Sequence, residues 1–289
     1  SEQDAWLSIL VGTIILLLNA YIMSKLAQIF PEKNFFQYVS DVWGNVLGFI
    51  IKICYLLYWF STLTLIFEDF SEATTALFLP KTPKIIPLLL IGFCVFLIVT
   101  YGLAAITRFY QIVFFFLLIP LLLLAVLGIS QIDIENLKPI FSHDLITIIK
   151  GGIVFAGIYQ GLEIILFAAP FLTEPKKMVK PALIGTCAGT FFPFVLSFSA
   201  IGTLGVGSMK EAVWPGMNIV STITLPGFDV ERYGFFLTMP WLIATFTTMC
   251  IFLYLLAYGI KEIVDFISRR IIIILVVILI IAANYLFPN

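Results

Sequence analysis

The chain returns again and again to runs of about 20 residues with hardly a charge among them, and those runs decide what it can fold into. The first, AWLSILVGTIILLLNAYIMS over residues 5–24, is typical. At 1.5 Å of rise per residue, about 20 helical residues cross the roughly 30 Å hydrocarbon layer of a bilayer. The apolar residues are continuous rather than alternating, which argues against the strands of a membrane barrel. Composition points the same way. The chain is 61% hydrophobic and 11% charged, where a soluble domain carries about 25% charged residues. With 29 Phe and a mean hydropathy of +1.11, it cannot cover itself with polar surface. In lipid the backbone must satisfy its own hydrogen bonds, so the expected class is an all-α polytopic membrane protein.

Several classes of function are disfavoured at once. Cys54, Cys94, Cys187 and Cys250 stand singly in different apolar runs, which is the pattern of small buried hydrophobes rather than of a disulfide framework or a zinc site. His143, the single histidine, lies in the polar stretch SHD and is expected as a solvated loop residue. Net charge is −1 with no basic run, so no nucleic-acid partner is expected. There is no phosphate-binding glycine loop, no HExxH and no nucleophile triad. The chain is expected not to be an enzyme, and no cofactor or metal is expected.

Eight candidate spans can be drawn, at roughly 5–24, 46–70, 84–102, 106–128, 149–171, 181–205, 235–259 and 270–287, within a single transmembrane domain over 1–289. Alternate loops near 25–45, 103–109, 172–180 and 260–270 hold more Lys and Arg than those on the other side, which makes their face cytoplasmic. Both termini then lie outside, and a span is expected to be missing at the N-terminus and at the C-terminus. The second span continues in helical pattern through IFEDFSEATTALF until LPKTP stops it, gathering Glu68, Asp69 and Glu72 at its outer end. That end is either a solvated acidic helix terminus or a vestibule for cations or a basic partner. The loop 206–231 is expected to hold a short interfacial or re-entrant helix, with Trp214 as an anchor. Pro120, Pro193 and Pro240 invite kinks.

One stretch does not read as a lipid-facing helix. FAGIYQGLEIILF, residues 155–167, carries Gly157, Gln160, Gly161 and Glu163 in the middle of the fifth run. Two readings stand. Gly157 and Gly161, four residues apart and so on one helix face, form a small-residue packing seam. Alternatively the helix breaks near them and bares peptide groups to a small zwitterion. Glu163 is expensive in hydrocarbon, so it faces a cavity or a partner, or carries a proton. Other polar positions inside spans are Tyr58, Thr62 and Thr64 in the second, and Thr238, Thr247 and Thr248 in the seventh; threonine in such a helix most often bonds its own backbone.

DAWLSIL at the first span, DIENLKPIF before the fifth, QGLEIILF within it, and VWPGMNI and DVERYGFF around the start of the seventh occur in an order and spacing that resemble the GerAB-like B subunits of bacterial spore germinant receptors. The resemblance spans the whole chain. It implies a ten-helix protein of the amino acid–polyamine–organocation superfamily, with the five-plus-five inverted repeat of LeuT-like transporters, of which this chain would hold helices two to nine. It also implies a ligand site on the broken helix, at Phe155, Gly157, Gln160, Gly161 and Glu163. Tyr58 and Thr62 would join it from the third helix of that plan, and Thr247, Thr248 and Phe252 from the eighth. Gln160 departs from the apolar residue usual in the family, which would alter ligand preference or admit water. The implied function is a germinant sensor in the inner spore membrane, binding a small ligand such as an amino acid beside A-type and C-type subunits. The competing readings are an amino-acid/proton symporter using the same site, with Glu163 as the coupling group, and a water or ion conduit lined by Tyr58, Gln160 and Phe252.

Overall fold

A computed structural model of the chain describes residues 2–130, 132–139, 142–210 and 230–286. Among them the regular structure is helical throughout. The long elements are α1 (Ala5–Ile29), α2 (Phe35–Leu77), α3 (Ile85–Thr100), α4 (Leu103–Ser130), α5 (Leu145–Ile158), the single turn α6 (Ile165–Ala168), α7 (Val179–Lys210), α8 (Val230–Ile263) and α9 (Arg269–Leu286).

Six of these helices are long and apolar enough to cross a membrane, and a seventh crossing results if α5 and the segment Leu162–Phe171 count as one bent span. The chain is therefore a multi-pass membrane protein, and its exposed side chains fit that setting. Ile14, Leu18 and Ile22, one turn apart on α1, and Phe114, Phe115, Phe116 and Ile119 on α4 all face outward. The expected count of eight is not reached, because α3 has only 16 residues. That is about 24 Å of helix, less than the hydrocarbon thickness. Its end is set by Gly102, whose φ of +88° only glycine adopts freely.

Among the described residues, the non-helical angles inside long helices fall at glycines. Pro120 and Pro193 lie inside continuous helices, while the residues with non-helical angles are Gly44 (φ 78°, ψ 170°) in α2 and Gly205 (φ 70°, ψ 164°) in α7. The loop expected up to residue 45 is thus partly helix, starting at Phe35. The expected interfacial helix of 206–231, with Trp214, lies for the most part outside the described residues.

The helices divide into two compact units. The first comprises Ser1–Phe35 and Leu118–Pro240. Here α1 packs along α5, α7 and the segment after α5. The crossing of α1 with α5 is backbone-close: a Cβ placed on Gly12 would lie 2.7 Å from the Gly152 carbonyl oxygen, and one on Gly152 would lie 2.8 Å from Val11 Cβ. Ala20 and Ala27, fully buried on α1, pack with Ile165, Ala169 and Met178. At the start of α1, buried Asp4 accepts hydrogen bonds from Ser142 Oγ (2.8 Å) and from the His143 amide (3.0 Å), and its carboxylate lies 3.2 Å from His143 Nδ1. His143 is therefore half-buried and anchored, not the solvated loop residue expected.

The second unit comprises Phe36–Leu117 and Trp241–Asn289. Ile272, Ile273, Val276, Val277 and Ile280 form the buried face of α9, which packs on α3. Asn284 Nδ2 donates to the Thr64 carbonyl at 3.2 Å. As expected, α2 runs on past its apolar part to Leu77. The acidic cluster there is not simply solvated: Glu68 is buried, and Lys84 Nζ reaches Glu68 Oε1 at 3.3 Å and Glu72 Oε1 at 2.6 Å.

Candidate functional site

The candidate site grows out of the interruption between α5 and Leu162–Phe171, within the fifth apolar run of the sequence. Before it, α5 opens after Asp144, whose Oδ1 accepts from Thr147 Oγ1 at 2.5 Å; that bond, helped by Lys150, holds the Asp144 carboxyl below the usual carboxylate range. The helix then runs to Ile158 and stops. Tyr159 turns extended (φ −71°, ψ 93°), and Gly161 adopts the left-handed conformation (φ 94°, ψ −5°). A 3₁₀ turn, Leu162–Ile164, leads into α6 and then a second 3₁₀ turn, Ala169–Phe171. The two arms meet at 57°. A helix end leaves the carbonyl groups of its last turn without intrahelical donors, and here that end falls within an apolar crossing. Of those carbonyls, the one of Phe155 accepts from the Tyr159 amide at 3.1 Å.

Glu163 acts on this break directly. It is 9% exposed, and its Oε2 accepts a hydrogen bond from the Gly161 amide at 3.1 Å. A carboxylate two residues downstream thus caps the first amide of the new turn. The sequence-level alternatives for the glycines are resolved by what surrounds them. A Cβ on Gly157 or Gly161 would meet nothing within 4 Å, so neither is a packing contact. They do not share a helix face either, because the helix ends between them. The glycines at the close crossing of α1 with α5 are Gly12 and Gly152, the latter about one and a half turns upstream of Gly157.

The remaining expected positions fall as follows. Phe155 is half-buried against α1, with its Cδ1 2.6 Å from where a Gly12 Cβ would stand, and its ring 6.0 Å from that of Tyr159. Gln160 is exposed in the break itself. These five residues all lie in the first unit, on the end of α5 and the turn that follows it. Tyr58, Thr62, Thr247, Thr248 and Phe252 belong to the second unit. There Tyr58 is 40% exposed while Thr62, one turn on, is buried, as is Phe252. Thr247 and Thr248 behave as back-bonding threonines: both hydroxyls donate to the Ala244 carbonyl, at 2.7 and 3.0 Å. The Tyr110 hydroxyl donates to the Thr247 carbonyl. The side chain of Thr238 lies outside the described residues.

Two contributors escaped the sequence reading. Tyr159, the residue at which α5 ends, fits into a space left by Gly189 of α7: a Cβ on Gly189 would lie 2.1 Å from its hydroxyl oxygen. Its only signal was its position beside Gln160 and Gly161. Asn136 is the other. Its Nδ2 donates to the Gly202 carbonyl at 3.0 Å, and the Asp133 amide donates to the same oxygen at 3.0 Å. Those donors satisfy α7 three residues before it departs from helical geometry at Gly205.

A family model described as spore germination protein matches residues 1–288. The chain belongs to the spore germination protein family. This is a family of membrane germination proteins and not of enzymes. Among its relatives, spore germination protein YndE of Bacillus subtilis is 26% identical over 262 residues, covering 91% of this chain and 72% of the relative. Spore germination protein A2 of the same organism is 24% identical, covering 91% and 72%. Spore germination protein B2 is 22% identical, covering 86% and 67%. The stretches that carried the resemblance have visible work in this spore germination protein. DAWLSIL begins with the Asp4 that holds Ser142 and His143. DIENLKPIF supplies the turn Ile134–Leu137, capped by Asp133 Oδ1 on the Glu135 amide (2.9 Å), that carries Asn136 to α7. QGLEIILF is the break and the turn that follows it.

Proposed function

We propose that this member of the spore germination family is the germinant-sensing subunit of a receptor in the inner spore membrane. Its ligand is a small zwitterion of the amino-acid class, held at the interrupted fifth crossing. The observation that carries the reading is the break at residues 159–161, with the Gly161 amide and the Glu163 carboxylate side by side inside an apolar crossing. Half-helix ends of this kind offer N–H and C=O groups to the charged ends of a solute. On this reading the eight apolar runs, with the short α3 counted among them, correspond to helices two to nine of a five-plus-five inverted repeat, and Phe155, Gly157, Gln160, Gly161 and Glu163 line the site from the sixth helix of that plan. Tyr58, Thr62, Thr247, Thr248 and Phe252, the positions expected from the third and eighth helices of that plan, belong to the second unit. Signalling passes to A-type and C-type subunits through a change of conformation, which a ligand biases only by its differential affinity for two states.

The test is equilibrium binding of radiolabelled amino acids to the full-length protein in detergent. Specific saturable binding is expected, and Gly161→Leu, which fills the open space beside the break, should abolish it while the thermal melt stays cooperative. Binding unchanged by that substitution removes the break from the site.

The buried Glu163 supports a second reading, an amino-acid/proton symporter. Liposomes separate the two: concentrative uptake driven by a pH gradient means transport, and binding without flux means sensing.

A further inference from the structure

The end of α1 and the start of α7 enclose a groove of about 690 Å³ on the face that the charge distribution makes cytoplasmic. Four lysines rim it: Lys25, Lys176, Lys177 and Lys180. Glu174 pairs with Lys177 at 2.5 Å, which leaves three lysines in excess of that carboxylate. The lysine-bearing turn is fixed to α1, since Gln28 Nε2 donates to the Lys176 carbonyl at 2.6 Å. Lys25 Nζ is held 5.8 Å above the Tyr21 ring. The groove also takes in the first turn of a 32-residue helix, whose amino end adds positive potential.

A basic rim alone would suit any anion, but this rim continues into apolar walls. Tyr21, Leu183 and Ile184 line the same groove. Across Lys177 and Pro181, which border both, a second groove of about 310 Å³ opens between Ile164, Ile165, Leu172 and Met178. A phosphate at the lysines would have the apolar residues of its own groove beside it and the second groove next to it across Lys177 and Pro181. We propose that this pair of grooves binds an anionic phospholipid from the cytoplasmic leaflet, with the headgroup phosphate among Lys25, Lys176 and Lys180 and the acyl chains along the apolar walls. Basic pockets between transmembrane helices on the cytoplasmic side have the right chemistry for such headgroups.

Native mass spectrometry of the full-length protein, released from neutral detergent with added phosphatidylglycerol or phosphatidylcholine, tests this. The wild type should retain phosphatidylglycerol in preference. Lys176→Gln with Lys180→Gln should weaken that retention by about 25-fold, at about fivefold for each lysine near an anionic group. Lys81→Gln with Lys138→Gln, on the opposite face, should leave it unchanged. Millimolar inorganic phosphate, which lacks acyl chains, should not displace the lipid. Equal retention by the first double variant, an equal loss in the second, or displacement by inorganic phosphate would each overturn the proposal.

Discussion

At Gly161 the backbone occupies a region, φ +94°, that costs a residue with a Cβ about 1–2 kcal/mol. Gly157 sits in the last turn of α5 with ordinary helical angles and open space around it. The two glycines look alike in the sequence, and the same substitution should separate them. Gly161→Ala is expected to destabilise the protein by about 1–2 kcal/mol, and Gly157→Ala to stabilise it by about 0.5–1 kcal/mol, as alanine does inside a helix. Denaturation in mixed micelles measures both. A shared sign would mean that the break is not where the structure puts it. The cost of a carboxyl group in hydrocarbon marks Glu163 in the sequence as a group that needs a partner, and the structure gives it one in the Gly161 amide. Its partner was not legible, because a contact two residues away through a left-handed turn follows no helical spacing. Asp4 and His143 were hidden for a similar reason: 139 residues of chain separate them, and neither lies in a periodic pattern.

At the scale of whole helices, apolar run length worked well and the punctuation worked badly. Most runs match helices to within a few residues, since burial of peptide groups in lipid leaves little choice, but α2 starts well before the run expected at 46. Pro120, Pro193 and Pro240 lie within helices whose assignment runs through them, as neighbours in a membrane helix allow, whereas Gly44 and Gly205 take angles outside the helical range. Packing glycines were misjudged too. The seam was sought in the fifth run alone, but a close crossing needs a small residue on each helix, and the pair is Gly12 with Gly152. Filling it has a predictable effect. Gly12→Val or Gly152→Val should cost about 1–3 kcal/mol by overpacking, seen as a lower unfolding midpoint in mixed micelles. Leu substitution at Gly157 should leave that midpoint nearly unmoved, and a comparable loss there would contradict the assignment of the seam.

For the molecule as a whole, the charge count gives an orientation that single introduced cysteines can read. In a cysteine-free background, Arg108→Cys is expected to react with a membrane-impermeant maleimide only from the cytoplasmic side, and Lys81→Cys only from the outer side. Reaction of both from one side would reverse or break the topology drawn from the lysines and arginines. The boundary between the two units runs through α4 and α8, and the break belongs wholly to the first unit. Its most telling detail is that the Gly161 amide is already occupied by Glu163 from within the same turn. A tethered carboxylate is a rival that never diffuses away. On the proposed reading, a solute that seeks that amide with its own carboxyl group must displace the tethered one, which raises the concentration at which it binds.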